Sequence, residues 1–478
     1  PPYAVSSTNK SEWIQNLISD YKKDLNEKKI NLDDDYIKFI RYGQHFIDKN
    51  GSGILAYISN NSFIDGITHR QMRKSLLESF DKIYILDLHG SAKKNETALD
   101  GGKDENVFDI QQGVSINIFI KTKPKEKLSA VFHFELFGKR EEKYATLNNL
   151  NVSSINWNRL QNKEPYNFFV PKDFSQSSKY VIGFALSELF LDFGSGVKNE
   201  RDDICKQFTK IEMAEVNQSK KKKARSEIKK KYNVVDTRDW KVSNAKLDVT
   251  DNYNESNFTL NQYRPFDLRY TYYTGKTRGF IGTPGTKRMY HILNKKNIAL
   301  LVCRQQSTFD FQHVFITTNI SDICVLSSQT KETGYVFPLY LYTQSNAQLS
   351  INQTAERTPN LSTVIIKQIA GKLSLTFTNE KETTKDTFAP IDILDYIYAV
   401  LHSPTYRDKY KEFLKIDFPR VPYPKDSATF WKLVKLGGEI RQIHLLESPL
   451  VEKYITRYPI DGDNMVTKPR FEGNKVYI

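Results

Sequence analysis

Gly51-Ser52-Gly53-Ile54-Leu55-Ala56-Tyr57-Ile58 joins a glycine turn to an unbroken apolar run, and this junction sets the fold class. A short apolar run bounded by turn signals reads as a buried strand. Upstream, Asp34 to Asp48 carries Tyr36, Phe39, Ile40 and Phe46 on the apolar face of a helix. Downstream, Ser59-Asn60-Asn61-Ser62-Phe63 ends the strand, and Thr68 to Phe80 has helical periodicity with Met72, Leu76 and Leu77 inside. Ile83 to Leu88 is a second apolar strand. A polar loop from Gly90 to Asn106 then precedes Val107-Phe108 and the alternating strand Val114 to Lys121. Helix and strand in this succession predict an α/β fold, the C-terminal half of a doubly wound sheet.

After Lys121 the composition shifts to a solvated connection of Thr, Lys, Pro and Glu, a candidate domain edge. Ala130 to Leu136 resumes strand alternation, and Arg140 to Asn167, with Leu147, Leu150, Ile155, Trp157 and Tyr166, reads as a spacer that packs on something. Near the C-terminus, Ile391 to Ser403, Thr405 to Lys415 and Ser427 to His444 read as helices, with Pro419, Pro422 and Pro424 keeping the connection extended. The expected division is 1–125 for the sheet, 126–169 for the spacer, 170–390 for an α+β second domain and 391–478 for its helical C-terminal part.

The chain has 478 residues, enough for two or three domains, with 39% hydrophobic and 13% aromatic residues to fill their cores. Its net charge of +14 and pI near 9.2 point to a polyanionic partner. No apolar run approaches the ~20 residues that span a bilayer, so no membrane partner is expected. Cys205, Cys303 and Cys324 have neither metal-type spacing nor a disulfide framework, which suggests a reducing, cytoplasmic setting. His291, His313, His402 and His444 show no ligand spacing, and no metal site is expected.

The first residues, Pro1-Pro2-Tyr3, are followed by a small residue and resemble the tail of the Asn-Pro-Pro-Tyr motif of amino-methyltransferases acting on adenine in DNA. The resemblance implies a base taken out of the duplex stack and held in a pocket. In such a motif the Asn side chain and first Pro carbonyl accept hydrogen bonds from the adenine amine, and the tyrosine stacks on the base. The order of elements that follows looks like the gamma-type adenine methyltransferases from the fourth motif onward, on a Rossmann-like sheet. By that resemblance Phe108, in Asn106-Val107-Phe108-Asp109-Ile110-Gln111-Gln112-Gly113, would face Tyr3 across the adenine. The other reading of Phe108 is ordinary core at a strand edge. The methyl donor, S-adenosylmethionine, needs a glycine-rich turn after the first strand of such a sheet. Gly194-Ser195-Gly196 leads into a polar stretch instead, so the main cofactor motif is expected upstream of this chain, and the chain alone is not expected to transfer methyl groups.

In the second domain, Gly194 to Asp203 combines a flexible backbone with Lys198 and Arg201, suited to phosphates or base edges, although Arg201 and Asp202 could instead brace a loop. Ser219 to Lys231 is a basic helix-compatible run, read as a solvated face with at most a nonspecific phosphate role. Trp240 reads as core. The densest block is Tyr263-Arg264-Pro265-Phe266-Asp267-Leu268-Arg269-Tyr270-Thr271-Tyr272-Tyr273. Arginine bidentate to guanine is the commonest specific major-groove contact, and strand alternation lets at most half of this block face DNA. An internal Arg264–Asp267 pair is the competing reading. The block strongly resembles the recognition part of type ISP restriction-modification enzymes, single polypeptides that join nuclease, helicase-like motor, methyltransferase and recognition domain. Thr277-Arg278-Gly279, Val302-Cys303-Arg304-Gln305-Gln306 and Asp322-Ile323-Cys324-Val325 follow in the order of that family. The resemblance implies double-stranded DNA as partner, with Lys198, Arg201, Tyr263, Arg264, Arg269, Arg278, Arg304 and Gln305 at its surface, and upstream parts of the same polypeptide beside it. The expected function is sequence-specific recognition with N6-adenine methylation; the alternative is a specificity module that binds DNA without methyl transfer of its own.

Overall fold

The computed structural model describes residues 9–25, 32–94, 96–122, 128–306, 310–343, 357–453, 469–472 and 475–477. Pro1, Pro2 and Tyr3 lie outside the described residues. Helices α1 (Glu12–Lys22) and α2 (Asp35–Asn50) come first, and α2 ends at Gly51, whose φ of 82° lets its N–H reach the Ile47 carbonyl at 2.9 Å. Then follow β1 (Gly53–Asn60), α3 (Arg70–Ser79), β2 (Lys82–Asp87), β3 (Val114–Lys121), β4 (Ala130–Glu135), α4 (Arg140–Asn149) and β5 (Asn158–Leu160). The five strands form one sheet in the order β1-β3-β2-β4-β5.

Four expectations change here. The sheet is mixed: β3 runs antiparallel to both neighbours, β4 pairs antiparallel with β5, and only β2 and β4 are parallel. The segment 126–169 is not a spacer, because β4 and β5 complete this sheet. Strand β1 is an edge strand, and Ile54 is 66% exposed rather than buried. An apolar run reveals a tendency to pair, not how many neighbours it has. On α2 the buried stripe is Tyr36, Ile37, Ile40 and Gln44, while Phe39 and Phe46 face outward beside Tyr42.

One buried cation fastens the sheet to the next segment. Arg73 of α3 is fully buried and faces no carboxylate within ion-pair reach among the described residues; it donates to the carbonyls of Phe63 and Gly66 at 2.7 Å, of Tyr166 at 2.6 and 2.9 Å, and of Asn167 at 3.0 Å. Four carbonyls would lose their donor in Arg73→Met. The expected outcome is a loss of about 3–5 kcal/mol in unfolding free energy, read as a lower urea midpoint.

The second lobe is built on a sheet whose two central strands are almost wholly buried. Strands β6 (Gly194–Ser195), β9 (Ala299–Cys303), β10 (Val314–Thr317) and β12 (Gly334–Pro338) lie in the order β10-β9-β12-β6. The numbers β7 (Phe258–Arg264), β8 (Asp267–Tyr272) and β11 (Ile320–Ser321) belong to a separate three-stranded sheet in the order β11-β7-β8. The two faces of β9 enter different cores. Leu300 and Val302 pack with Phe337, Ile366, Ile397 and Leu401, whereas Ala299 and Leu301 pack with Trp240, Tyr272, Phe315 and Val336. A strand covered on both sides reads as continuous rather than alternating hydrophobicity, as Ala299-Leu300-Leu301-Val302-Cys303 does. Helix α7 (Val242–Asp251) lines the second of these cores, and helices α8 (Thr363–Leu373), α9 (Pro390–His402) and α10 (Ser427–His444) close the first. The backbones of α9 and α10 touch: a Cβ on Gly437 would lie 1.8 Å from the Asp395 carbonyl, and Arg441 Nε pairs with Asp395 at 2.7 Å across the crossing.

The lysine-rich run is two helices, α5 (Lys210–Lys222) and α6 (Arg225–Lys231), and it is not wholly solvated. Lys220 is fully buried, its Nζ 3.8 Å from the Phe280 ring centroid and without a hydrogen-bond partner among the described residues. Burial pushes this amine down to about 7. Because the unfolded chain keeps the ordinary value near 10.5, folding expels a proton between about pH 7 and 10.5, so stability rises with pH across that window and the penalty is full below it. Lys220→Met should therefore raise stability at pH 7 by about 2–4 kcal/mol and flatten the rise, measured as thermal midpoints from pH 7 to 10.

Candidate nucleic-acid interface

The hairpin β7–β8 carries the aromatic-arginine block, and β11 lies parallel to β7 and delivers Asp322 at its end. Asp322 is buried and gathers two distant segments. Its carboxylate accepts from Arg264 Nη1 at 3.2 Å, from Asn199 Nδ2 at 3.2 Å, from Lys206 Nζ, and from the Cys324 N–H at 2.8 Å. Its own N–H donates to the Gln262 carbonyl at 2.9 Å. Gly196 lies against this turn so closely that a Cβ would sit 2.7 Å from the Ser321 and Asp322 carbonyl oxygens. The stretch Gly194 to Asp203 is therefore ordered, not flexible: Gly194 and Ser195 pair with β12, and the Val197 N–H donates to the Ser321 carbonyl at 2.7 Å.

Around Asp322 the basic side chains differ sharply in what holds them. The Arg264 guanidinium lies 3.9 Å from the Tyr263 ring centroid and the Lys206 ammonium 4.1 Å from it, while the Tyr263 hydroxyl donates to Asp202 at 3.1 Å. Asp267, considered as a partner for Arg264, instead takes Arg269 at 2.5 and 2.9 Å, with that guanidinium 3.5 Å from the Phe208 ring. Arg201 is half-buried and does not brace Asp202; its terminal nitrogens donate to the Glu200 and Val235 carbonyls at 2.8 and 2.7 Å. Lys198 is half-exposed beside Glu200 at 2.5 Å. Arg278, 60% exposed, reaches Asp239 at 3.4 Å. Backbone bonds between Lys198 and Thr283, and between Arg278 and Gly282, hold these two in the same region. Arg304 is held elsewhere, against Asp417 at 2.7 Å, with Gln305 half-buried next to it in the chain.

In the first lobe Phe108 stands just before β3, its N–H donating to Asn106 Oδ1 at 2.9 Å and its carbonyl accepting from Arg140 at 3.1 Å. The half-buried ring packs on the cluster of Leu86, Leu88, Val107 and Val114. The loop behind it is pinned by the fully buried Lys143–Asp104 pair at 2.9 Å. A cavity of about 250 Å³ opens at the carboxyl ends of β1 and β2, lined by Asn61, Asp87, His89, Lys94, Glu96 and Glu135 among others. His89 overcomes burial, which opposes its charge, because the carboxylates of Glu135, Glu96 and Asp87 push it up to about 10.

The sequence reading includes Asp322 and Asn199 only as parts of matching stretches and misses Lys206. Asp322 meets Arg264 and Lys206 across 58 and 116 residues, a pairing that no local pattern encodes. Burial pushes the Lys206 amine down, and the Asp322 carboxylate opposes that shift. Asp322→Ala would leave Lys206 buried without its counter-ion. It should cost about 3–5 kcal/mol, seen as a lowered denaturant midpoint, whereas Arg264→Ala, at a half-exposed position, should cost clearly less.

The Type ISP C-terminal specificity domain profile matches residues 188–478, more than half of the chain. No curated protein sequence matches. Among solved structures the chain is similar to the ATP-dependent Type ISP restriction-modification enzyme LlaBIII bound to DNA, at 22% identity and a TM-score of 0.71, covering 93% of this chain and 30% of that one. It is also similar to the DrdV–DNA complex, at 22% identity and a TM-score of 0.70, covering 93% of this chain and 44% of that one. A nuclease-deletion mutant of the Type ISP enzyme LlaGI, in complex with a DNA substrate mimic, matches at 21% identity and a TM-score of 0.66, covering 93% and 41%. The chain thus spans less than half the length of each of these structures. With the match running from Glu188 through the Asp322 hub to the end of the chain, this protein belongs to the Type ISP C-terminal specificity domain family.

Proposed function

We propose that this chain is the sequence-reading part of a restriction-modification enzyme and binds double-stranded DNA through the region around Asp322. The observation that carries the reading is the convergence, inside the family match, of Lys198, Tyr263, Arg264, Arg269 and Arg278 on one region of a chain with net charge +14. Positive side chains neutralise phosphates and release counterions, so binding should weaken with salt by about 0.9 in log–log slope per phosphate contacted. Titrating labelled duplex with the full chain from 50 to 300 mM salt checks this; affinity indifferent to salt would count against it.

We further propose that the longer polypeptide methylates adenine at N6, with the base flipped out and S-adenosylmethionine as donor, in the cytoplasm. Edge strand β1 and the outward aromatics Trp13, Phe39, Tyr42 and Phe46 support docking of an upstream part of the same polypeptide here, since an open strand edge and an apolar face both gain from being covered. The Gly194–Gly196 turn does not fit S-adenosylmethionine: Gly194 is paired in β6 and Gly196 is closed off by the Ser321 and Asp322 carbonyls. In this reading the donor site lies in the upstream part, and this chain's contribution is Pro1, Pro2 and Tyr3 at the adenine and Phe108, braced by Asn106 and Arg140, on its other face. Positioning of this kind needs no covalent intermediate. The alternative, a binding module without methyl transfer, is separated by supplying the longer polypeptide with labelled donor and duplex. Labelled N6-methyladenine that falls at least 100-fold in Tyr3→Ala and in Phe108→Ala supports methylation; DNA binding without label leaves the module.

A further inference from the structure

We propose that Arg264 is the side chain with which this protein grips a pair of adjacent acceptors on duplex DNA, either guanine O6 and N7 or two oxygens of one phosphate, and that Asp322 and Tyr263 are the positioning residues that aim it. The inference rests on the DNA-recognition reading above and singles out one residue within it.

A guanidinium offers five N–H donors in a fixed fork, and one of its bidentate edges is formed by Nε and one terminal nitrogen. In Arg264 the other terminal nitrogen, Nη1, is engaged, donating to the Tyr263 carbonyl at 2.5 Å and to Asp322 at 3.2 Å. Its Nε and Nη2 meet no acceptor among the described residues, and the side chain is 26% exposed. The remaining freedom is small: the Tyr263 ring, 3.9 Å from the guanidinium carbon, holds the plane, and the buried Asp322 carboxylate holds its rotation. Lys206 shares that carboxylate, so Arg264 has no counter-ion of its own.

The other arginines of the region lack this combination. Arg269 closes the same edge on Asp267, and Arg304 closes it on Asp417. Arg201 uses both terminal nitrogens on backbone carbonyls, and its Nε is buried without a partner among the described residues. Arg278 is open, but among the described residues its side chain is tethered only by the 3.4 Å contact with Asp239. An edge held ready before the ligand arrives avoids the ordering cost that a free surface arginine meets on binding.

The test selects preferred duplexes from a randomised pool with the full chain, then compares wild type, Arg264→Lys and Arg264→Ala for affinity, salt slope and selected sequence. Arg264→Lys keeps the charge and the Asp322 partner while removing the fork, and it carries the result if Arg264→Ala fails to fold by thermal unfolding. A guanine contact predicts roughly 10- to 100-fold weaker binding of the preferred duplex and loss of preference at one G position, with other positions retained. A phosphate contact predicts uniform weakening across sequences and, in Arg264→Ala, a salt slope smaller by about 1. Either result supports the assignment. Folded variants that match wild type in affinity, slope and selected sequence would overturn it while leaving DNA recognition standing, and a wild-type chain that selects no duplex would remove both.

Discussion

A buried carboxylate taken from water survives only if its surroundings supply donors, and Asp322 meets that condition by drawing in Lys206, Arg264, Asn199 and the Cys324 N–H. Those donors come from separate stretches of chain, so satisfying one anion assembles one region. The strand β11 ahead of Asp322 pairs with β7, the Gly196 turn packs on its carbonyl, and the hairpin β7–β8 takes its orientation from the same point. The same economy appears in the first lobe with reversed sign. Arg73 is a buried cation satisfied by four carbonyls, and it ties α3 to the segment that leads to the second lobe.

The interface is a problem of selective neutralisation. The chain carries a surplus of 14 positive charges, yet most arginines proposed for DNA contact are already committed: Arg269 to Asp267, Arg304 to Asp417, Arg201 to two carbonyls. Density of arginine is therefore a poor guide to which arginine binds. What separates them is the geometry of the unused donors, and a surface ion pair is weak enough to be exchanged for a phosphate where a buried one is not. The central sheet gives this surface a rigid backing. Because β9 contributes side chains to two cores at once, the hairpin region and the C-terminal helices α9 and α10 are braced by opposite faces of one strand.

Much of the secondary structure was legible. The helix before Gly51, the strand Val114–Lys121 and the helix Ser427–His444 follow from apolar spacing and turn residues, and Trp240 reads correctly as core. Sheet neighbours were not legible. Strand β1 has the composition of a central strand and lies at an edge, and β4 and β5 come from a stretch that reads as a spacer. The charged run after Ser219 reads as solvent-facing, although one of its lysines fills the core beside Phe280.

The sequence by itself determined where the chain turns, which segments are helical or extended, the basic surplus, and the hairpin block on which the recognition reading rests. Those are properties of neighbours along the chain, and periodicity and turn chemistry record them. The tertiary structure alone decided that Asp322, not Asp267, holds Arg264, that Lys206 belongs to the cluster, and that Arg264 keeps an open edge. Charge pairing depends on distance in space and on exclusion of water, and neither is written in residue spacing when the partners stand 58 and 116 positions apart.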